Sequence, residues 1–150
     1  MIVEAIVNGR RARLDCDAAD TLLEVLEREG LTSVRATCAI GVCGACTVLL
    51  DGEPVSGCLT FAPLAEGREI TTVEGLAGTD PVQRAFGAAQ GFQCGWCTPG
   101  FVLTVKHLLA EVPDPTDEQI AEALGGNLCR CGSYVKIMDA ARIAARRSSP

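Results

Sequence analysis

The chain has 150 residues, 48% hydrophobic and 21% charged, enough for one core or two small ones. Thirteen basic against nineteen acidic side chains leave a net charge of −6, which argues against nucleic acid as a partner, because phosphate binding needs a basic face. No run of eighteen apolar residues exists, so no membrane-spanning helix is expected.

The first residues show no basic region followed by an apolar stretch and a small-residue cleavage site, so a cytoplasmic location is expected. Nine cysteines without an export signal point to metal rather than disulfides. The one basic run, residues 142–147, reads as a solvated helix end favoured by the helix dipole.

Residues 2–7 and 11–16 are short β-favouring runs, and Asn8-Gly9 between them is a hairpin signal. Cys16 has no near cysteine partner and reads as a small buried hydrophobe. Asp20 or Thr21 can cap a helix carrying Leu22, Val25 and Leu26, with Glu24 three residues after Thr21 as in a capping box, and Gly30 can end it. After a cysteine-rich loop, residues 46–50 and 54–61 read as strands about an Asp51-Gly52 turn, and residues 69–73 as a last strand. A small mixed sheet crossed by one helix fits a β-grasp.

Residues 74–80 read as a linker, and the remainder is helical. Asp80-Pro81 opens a helix with the stripe Val82, Ala85, Phe86 and Ala89, which Gly91 stops. Thr98-Pro99 opens the next in the same way, with Phe101, Val102, Val105, Leu108 and Leu109 inward, and Pro113 ends it. Thr116 and Gln119 cap a third helix that Gly125-Gly126 break; Tyr134, Ile137, Met138 and Ala141 carry the fourth. The expected class is therefore α+β: a β-grasp domain over residues 1–76 and a four-helix bundle over residues 77–150.

The chemistry lies in the cysteines. Cys38, Cys43 and Cys46 have the spacing C-x4-C-x2-C, and Cys58 follows at a distance. Three thiols in nine residues with Gly41 and Gly44 between them suit a loop around an inorganic core, the spacing by which plant-type ferredoxins hold a [2Fe–2S] cluster. The glycines permit positive φ, so that backbone N–H groups can turn toward anionic sulfur.

Cys94 and Cys97 form C-x2-C, and Cys129 and Cys131 form C-x-C, each pair at a predicted helix junction where positive dipole ends meet an anionic site. Two sets of four thiolates match two metal sites. Zinc is the chemical rival, although C-x-C is unusual in a zinc ribbon. A Rieske centre needs two histidines, and His107 is the only one. His107 and Trp96 read as structural side chains, and the residues alone assign no role to Gln93.

The stretches CAIGVCGACTV (38–48), DGEPVSGCLT (51–60), TTVEGLA (71–77), QCGWCTPG (93–100) and GNLCRC (126–131) resemble, in order and spacing, the small iron–sulfur subunit of the molybdenum hydroxylases, the family of xanthine oxidase and aerobic carbon monoxide dehydrogenase. The resemblance covers almost the whole chain. It implies a plant-ferredoxin-like domain with one [2Fe–2S] cluster and a helical domain with another, relaying electrons from a large molybdopterin-binding subunit to a medium FAD-binding subunit. Substrate chemistry is then expected on a partner, within a dimer of heterotrimers. The cluster on Cys94, Cys97, Cys129 and Cys131 is implied to lie nearer the pterin, which Gln93 and Cys131 would contact; that on Cys38, Cys43, Cys46 and Cys58 would lie nearer the flavin. Thr37 stands where the family commonly has glycine, and Gly132-Ser133 replaces the usual Thr-Gly.

Overall fold

In the computed structural model, which describes residues 1–148, the sheet comes first in the chain and the helices follow. β1 (Ile2–Val7), β2 (Arg10–Asp15), β3 (Thr47–Leu50), β4 (Glu53–Ser56) and β5 (Glu69–Thr71) lie in the order β2-β1-β5-β3-β4. Only the β1–β5 pair is parallel. Both hairpins turn through two left-handed residues, Asn8-Gly9 and Asp51-Gly52, the geometry that matches strand twist. β2 and β4 are the edges; β2 exposes Arg10, Arg11 and Arg13, and β4 carries Pro54.

α1 (Leu22–Arg28) starts at the Thr21–Glu24 capping box that the sequence announces. Its Leu22, Leu23, Val25 and Leu26 pack with Val3, Leu14, Val48, Leu50 and Ile70 in the first core, where Cys16 is also buried. Strand alternation puts Leu49 on the opposite face of β3, in a second core with Phe86, Phe101, Ile120 and Ile137. That core is built by α2 (Pro81–Ala89), α3 (Thr98–Glu111), α4 (Asp117–Leu124) and α5 (Tyr134–Ser148). α3 packs on β3 and β4, so β3 is buried on both sides.

Several local expectations are corrected. The strand expected over residues 54–61 ends at Ser56. Gly57 turns the chain under Cys46, donating its N–H to the Cys46 carbonyl, where a Cβ would sit 2.9 Å from that oxygen. The expected strand over residues 69–73 stops at Thr71, and residues 73–76 form a 3-10 turn. α2 is stopped by Gln90 in the left-handed conformation rather than by Gly91, whose N–H reaches back to the Phe86 carbonyl. α3 differs from α2 at its start: Asp80 accepts from Val82 N–H, whereas Thr98 is already the first helical residue and its Oγ is buried without a partner. The basic run is not wholly solvated, since Arg142 forks onto Asp117 at 2.8 and 2.9 Å and meets Asp139 at 2.8 Å; the Arg147 side chain lies outside the described residues.

The two cores are joined where α3 begins. Gly100 lies so close to Gly44 that a Cβ on it would be 2.1 Å from the Gly44 carbonyl oxygen. Buried Asn127 donates to the same carbonyl at 3.2 Å and accepts from Thr104 Oγ at 3.0 Å. His107 Nδ1 lies 3.1 Å from the Gly52 carbonyl oxygen across the same junction, a structural placement as expected.

Gly100→Ala is expected to lower the unfolding free energy by about 1–3 kcal/mol through overpacking against backbone. Gly87→Ala, with nothing within 4 Å of its would-be Cβ, is expected to raise it by about 0.5–1 kcal/mol. Denaturant titration checks both. Glu74 gives a pH test. Burial works to raise its pKa, but bonds from Ser33 Oγ, Thr72 Oγ and Ser33 N–H outweigh burial and hold it below its ordinary 4.5. The folded carboxyl is the stronger acid, so its contribution to stability is complete above that value and lost as pH falls through the folded pKa. Glu74→Gln is expected to flatten this part of the acid limb in melting temperature against pH.

Candidate metal centre

The loop between α1 and β3 carries Cys38, Cys43 and Cys46, and the turn after β4 carries Cys58. Cys43, Cys46 and Cys58 are buried and Cys38 is half-buried. The Cys43 thiol helps to lower the pKa of Cys38, and Cys58 and Cys43 help to raise that of Cys46. The loop bends through left-handed Ala39, Gly41 and Gly44, which directs backbone N–H groups inward. The N–H groups of Ile40, Cys43 and Val42 reach the Cys38 sulfur and push its pKa down to about 6, with the Ile40 bond largest. Burial does the opposite to Cys46, which is pushed up to about 11. Sequence reasoning picked out the glycines of this loop and missed Ala39.

The second quartet lies at the junctions before α3 and α5. The Cys131 thiol helps to lower the pKa of Cys94, and Cys129 and Cys94 help to raise that of Cys97. Cys129 is buried, Cys97 half-buried, and Cys94 and Cys131 are exposed. Trp96 N–H lies 3.5 Å from the Cys94 sulfur and lowers its pKa. Ser133 N–H lies 3.4 Å from the Cys129 sulfur. Burial works to raise Cys129, but the bonds from Ser133, Cys97 and Gly132 outweigh it and lower its pKa. Cys97 is pushed up to about 12, chiefly by burial. A cavity of about 470 Å³ opens among Cys94, Cys97, Cys129, Cys43, Trp96 and Tyr134.

The donor set fits a two-iron cluster. The thiols of each quartet influence one another's pKa, and four thiolates are what a [2Fe–2S] cluster takes. Sulfurs that already accept backbone N–H bonds can carry the negative charge of thiolate ligation.

The remaining sequence candidates fall around these quartets. Gln93 Nε2 donates to the Cys131 carbonyl at 3.2 Å on the exposed side of the second set, so both stand together at the surface. Trp96 is half-exposed and its Nε1 donates to Thr37 Oγ at 2.8 Å, a bond that a glycine at 37 could not accept. Gly132 has φ of 78°, so the departure from Thr-Gly places a glycine where the turn uses one. Four contributors went unread in the sequence. Arg35 Nη1 donates to the carbonyls of Gly95 and Trp96 at 2.7 and 2.6 Å. Tyr134 Oη accepts from Cys129 N–H at 2.9 Å. Asn127 and Thr104 brace the Cys43–Gly44 backbone. Only the location of Arg35 and Asn127 near ligand stretches hinted at them.

Residues 5–77 match the family described as a 2Fe-2S iron-sulfur cluster binding domain, and residues 72–142 that described as a [2Fe-2S] binding domain. The chain is 45% identical over 141 residues to the nicotine 6-hydroxylase small subunit of Paenarthrobacter nicotinovorans, covering 92% of this chain and 86% of that one. It is also 45% identical over 145 residues to the nicotinate dehydrogenase small FeS subunit of Eubacterium barkeri, covering 94% and 92%. The crystal structure of quinoline 2-oxidoreductase from Pseudomonas putida 86 contains a chain that superposes with a TM-score of 0.94 at 38% identity, over 99% of this chain and 95% of that one. With both halves matched and relatives aligned along nearly its full length, the chain belongs to the small iron–sulfur subunits of the molybdenum hydroxylase family of oxidoreductases.

Proposed function

We propose that this subunit carries electrons from a large molybdopterin-bearing partner to a medium FAD-bearing partner through two [2Fe–2S] clusters. Cys38, Cys43, Cys46 and Cys58 hold one cluster in a domain of residues 1–76. Cys94, Cys97, Cys129 and Cys131 hold the other in a domain of residues 77–150. The observation that carries this reading is that one [2Fe–2S] family match spans each quartet, with the N–H groups of Trp96 and Ser133 turned toward the sulfurs of Cys94 and Cys129. When bound, such clusters supply one-electron exchange without proton or group transfer.

The residues of this chain then hold, tune and present. Left-handed loop positions aim N–H groups at sulfur, which stabilises the added negative charge. Gln93 fixes the Cys131 carbonyl at the exposed edge of the second quartet, and we assign both to the face that meets the pterin. Around the first quartet, Ile40, Val42, Leu59 and Phe61 are exposed apolar side chains suited to burial by a second partner. No pair of catalytic carboxylates or activated nucleophile stands out in the sequence, so substrate oxidation belongs to another subunit. A dimer of heterotrimers in the cytoplasm is the assembly proposed.

The purified holo-subunit is expected to be reddish-brown and to contain about four irons and four acid-labile sulfides per chain. A colourless chain holding zinc would refute the reading. Cys94→Ser is expected to remove or alter the electron paramagnetic resonance signal of one cluster and to leave the other's intact. Loss of both or of neither would overturn the grouping of ligands.

A further inference from the structure

We propose that Arg35 raises the reduction potential of the cluster on Cys94, Cys97, Cys129 and Cys131, acting through the Gly95–Trp96 peptide; this rests on the cluster assignment above. The Gly95 carbonyl and the Trp96 N–H are two ends of one peptide unit. Arg35 Nη1 donates to that carbonyl at 2.7 Å, and the Trp96 N–H points to the Cys94 sulfur at 3.5 Å. A cation bonded to the carbonyl end polarises the peptide and strengthens the positive end that faces sulfur. A second bond to the Trp96 carbonyl at 2.6 Å and the guanidinium lying 4.8 Å from the Trp96 ring centroid fix the charge in place. The Trp96–Thr37 bond anchors the indole in turn.

None of the ion pairs among the described residues uses Arg35. The side chain is half-buried, which limits screening by solvent. A cluster gains one negative charge on reduction, so a fixed cation and a polarised N–H donor both favour the reduced form. Arg35 is therefore a positioning residue on the first loop that sets the electron affinity of the second site.

The test is a redox titration of the loaded complex, following each cluster's paramagnetic signal. Arg35→Gln and Arg35→Met are expected to shift the second cluster's midpoint downward, Met further than Gln, with a smaller shift at the first cluster. Arg35→Lys, which keeps charge without the guanidinium fork, is expected to shift it least. An unchanged second midpoint in Arg35→Met, or equal shifts at both clusters, would overturn the proposal. If the neutral variants fail to load, Thr37→Asp decides. It keeps an acceptor for the indole and leaves the partners of Arg35 in place while adding an opposing charge. The second midpoint is expected to fall, and an unmoved one refutes the idea. Iron and sulfide analysis separates the two failures, since a chain lacking two clusters refutes the assignment itself.

Discussion

One backbone hydrogen bond ties the two halves of this subunit together at their chemistry. Leu128 N–H donates to the Cys43 carbonyl at 2.9 Å. Cys43 belongs to the first thiol quartet, and Leu128 directly precedes Cys129 of the second. The relay proposed above would need its two carriers at a fixed separation, and a bond between these two loops would fix it most directly. The rest of the junction serves that bond. Gly100 and Gly44 permit the close approach, and Asn127 and Thr104 satisfy the polar groups it buries. β3 is sandwiched because α3 has to reach this point.

The two loops solve one electrostatic problem with different means. The first uses left-handed residues to gather N–H groups about Cys38. The second uses the starts of α3 and α5, where N–H groups lack intrahelical partners, with Ser133 N–H facing Cys129. Both leave an edge at the surface, Cys38 on one side and Cys94 with Cys131 on the other. The pKa of each thiol therefore follows geometry: N–H donors lower it where they prevail, and burial raises it where burial prevails.

Much of this was legible because the signals are local. The Thr21–Glu24 and Thr116–Gln119 capping boxes, the Asn8-Gly9 and Asp51-Gly52 turns and the Asp80-Pro81 start each rest on a few adjacent residues, and all appear in the structure. The errors have a common cause in tertiary contact. Residues 57–61 keep strand-like composition, but Gly57 has to pass beneath Cys46. Thr98 looks like a cap, yet the Cys97 turn places it one position inside the helix. Arg35 and Asn127 bond across 61 and 83 positions, beyond what spacing or periodicity can show.

The margins of the sheet carry a consequence for assembly. An open strand margin invites a neighbouring chain to zip on through its free backbone groups. Here β2 meets such an approach with three exposed arginines, and Pro54 withholds a donor from β4. Ribbon-like growth is disfavoured at both ends, which leaves loops and helix starts as the surfaces through which this molecule can be gripped.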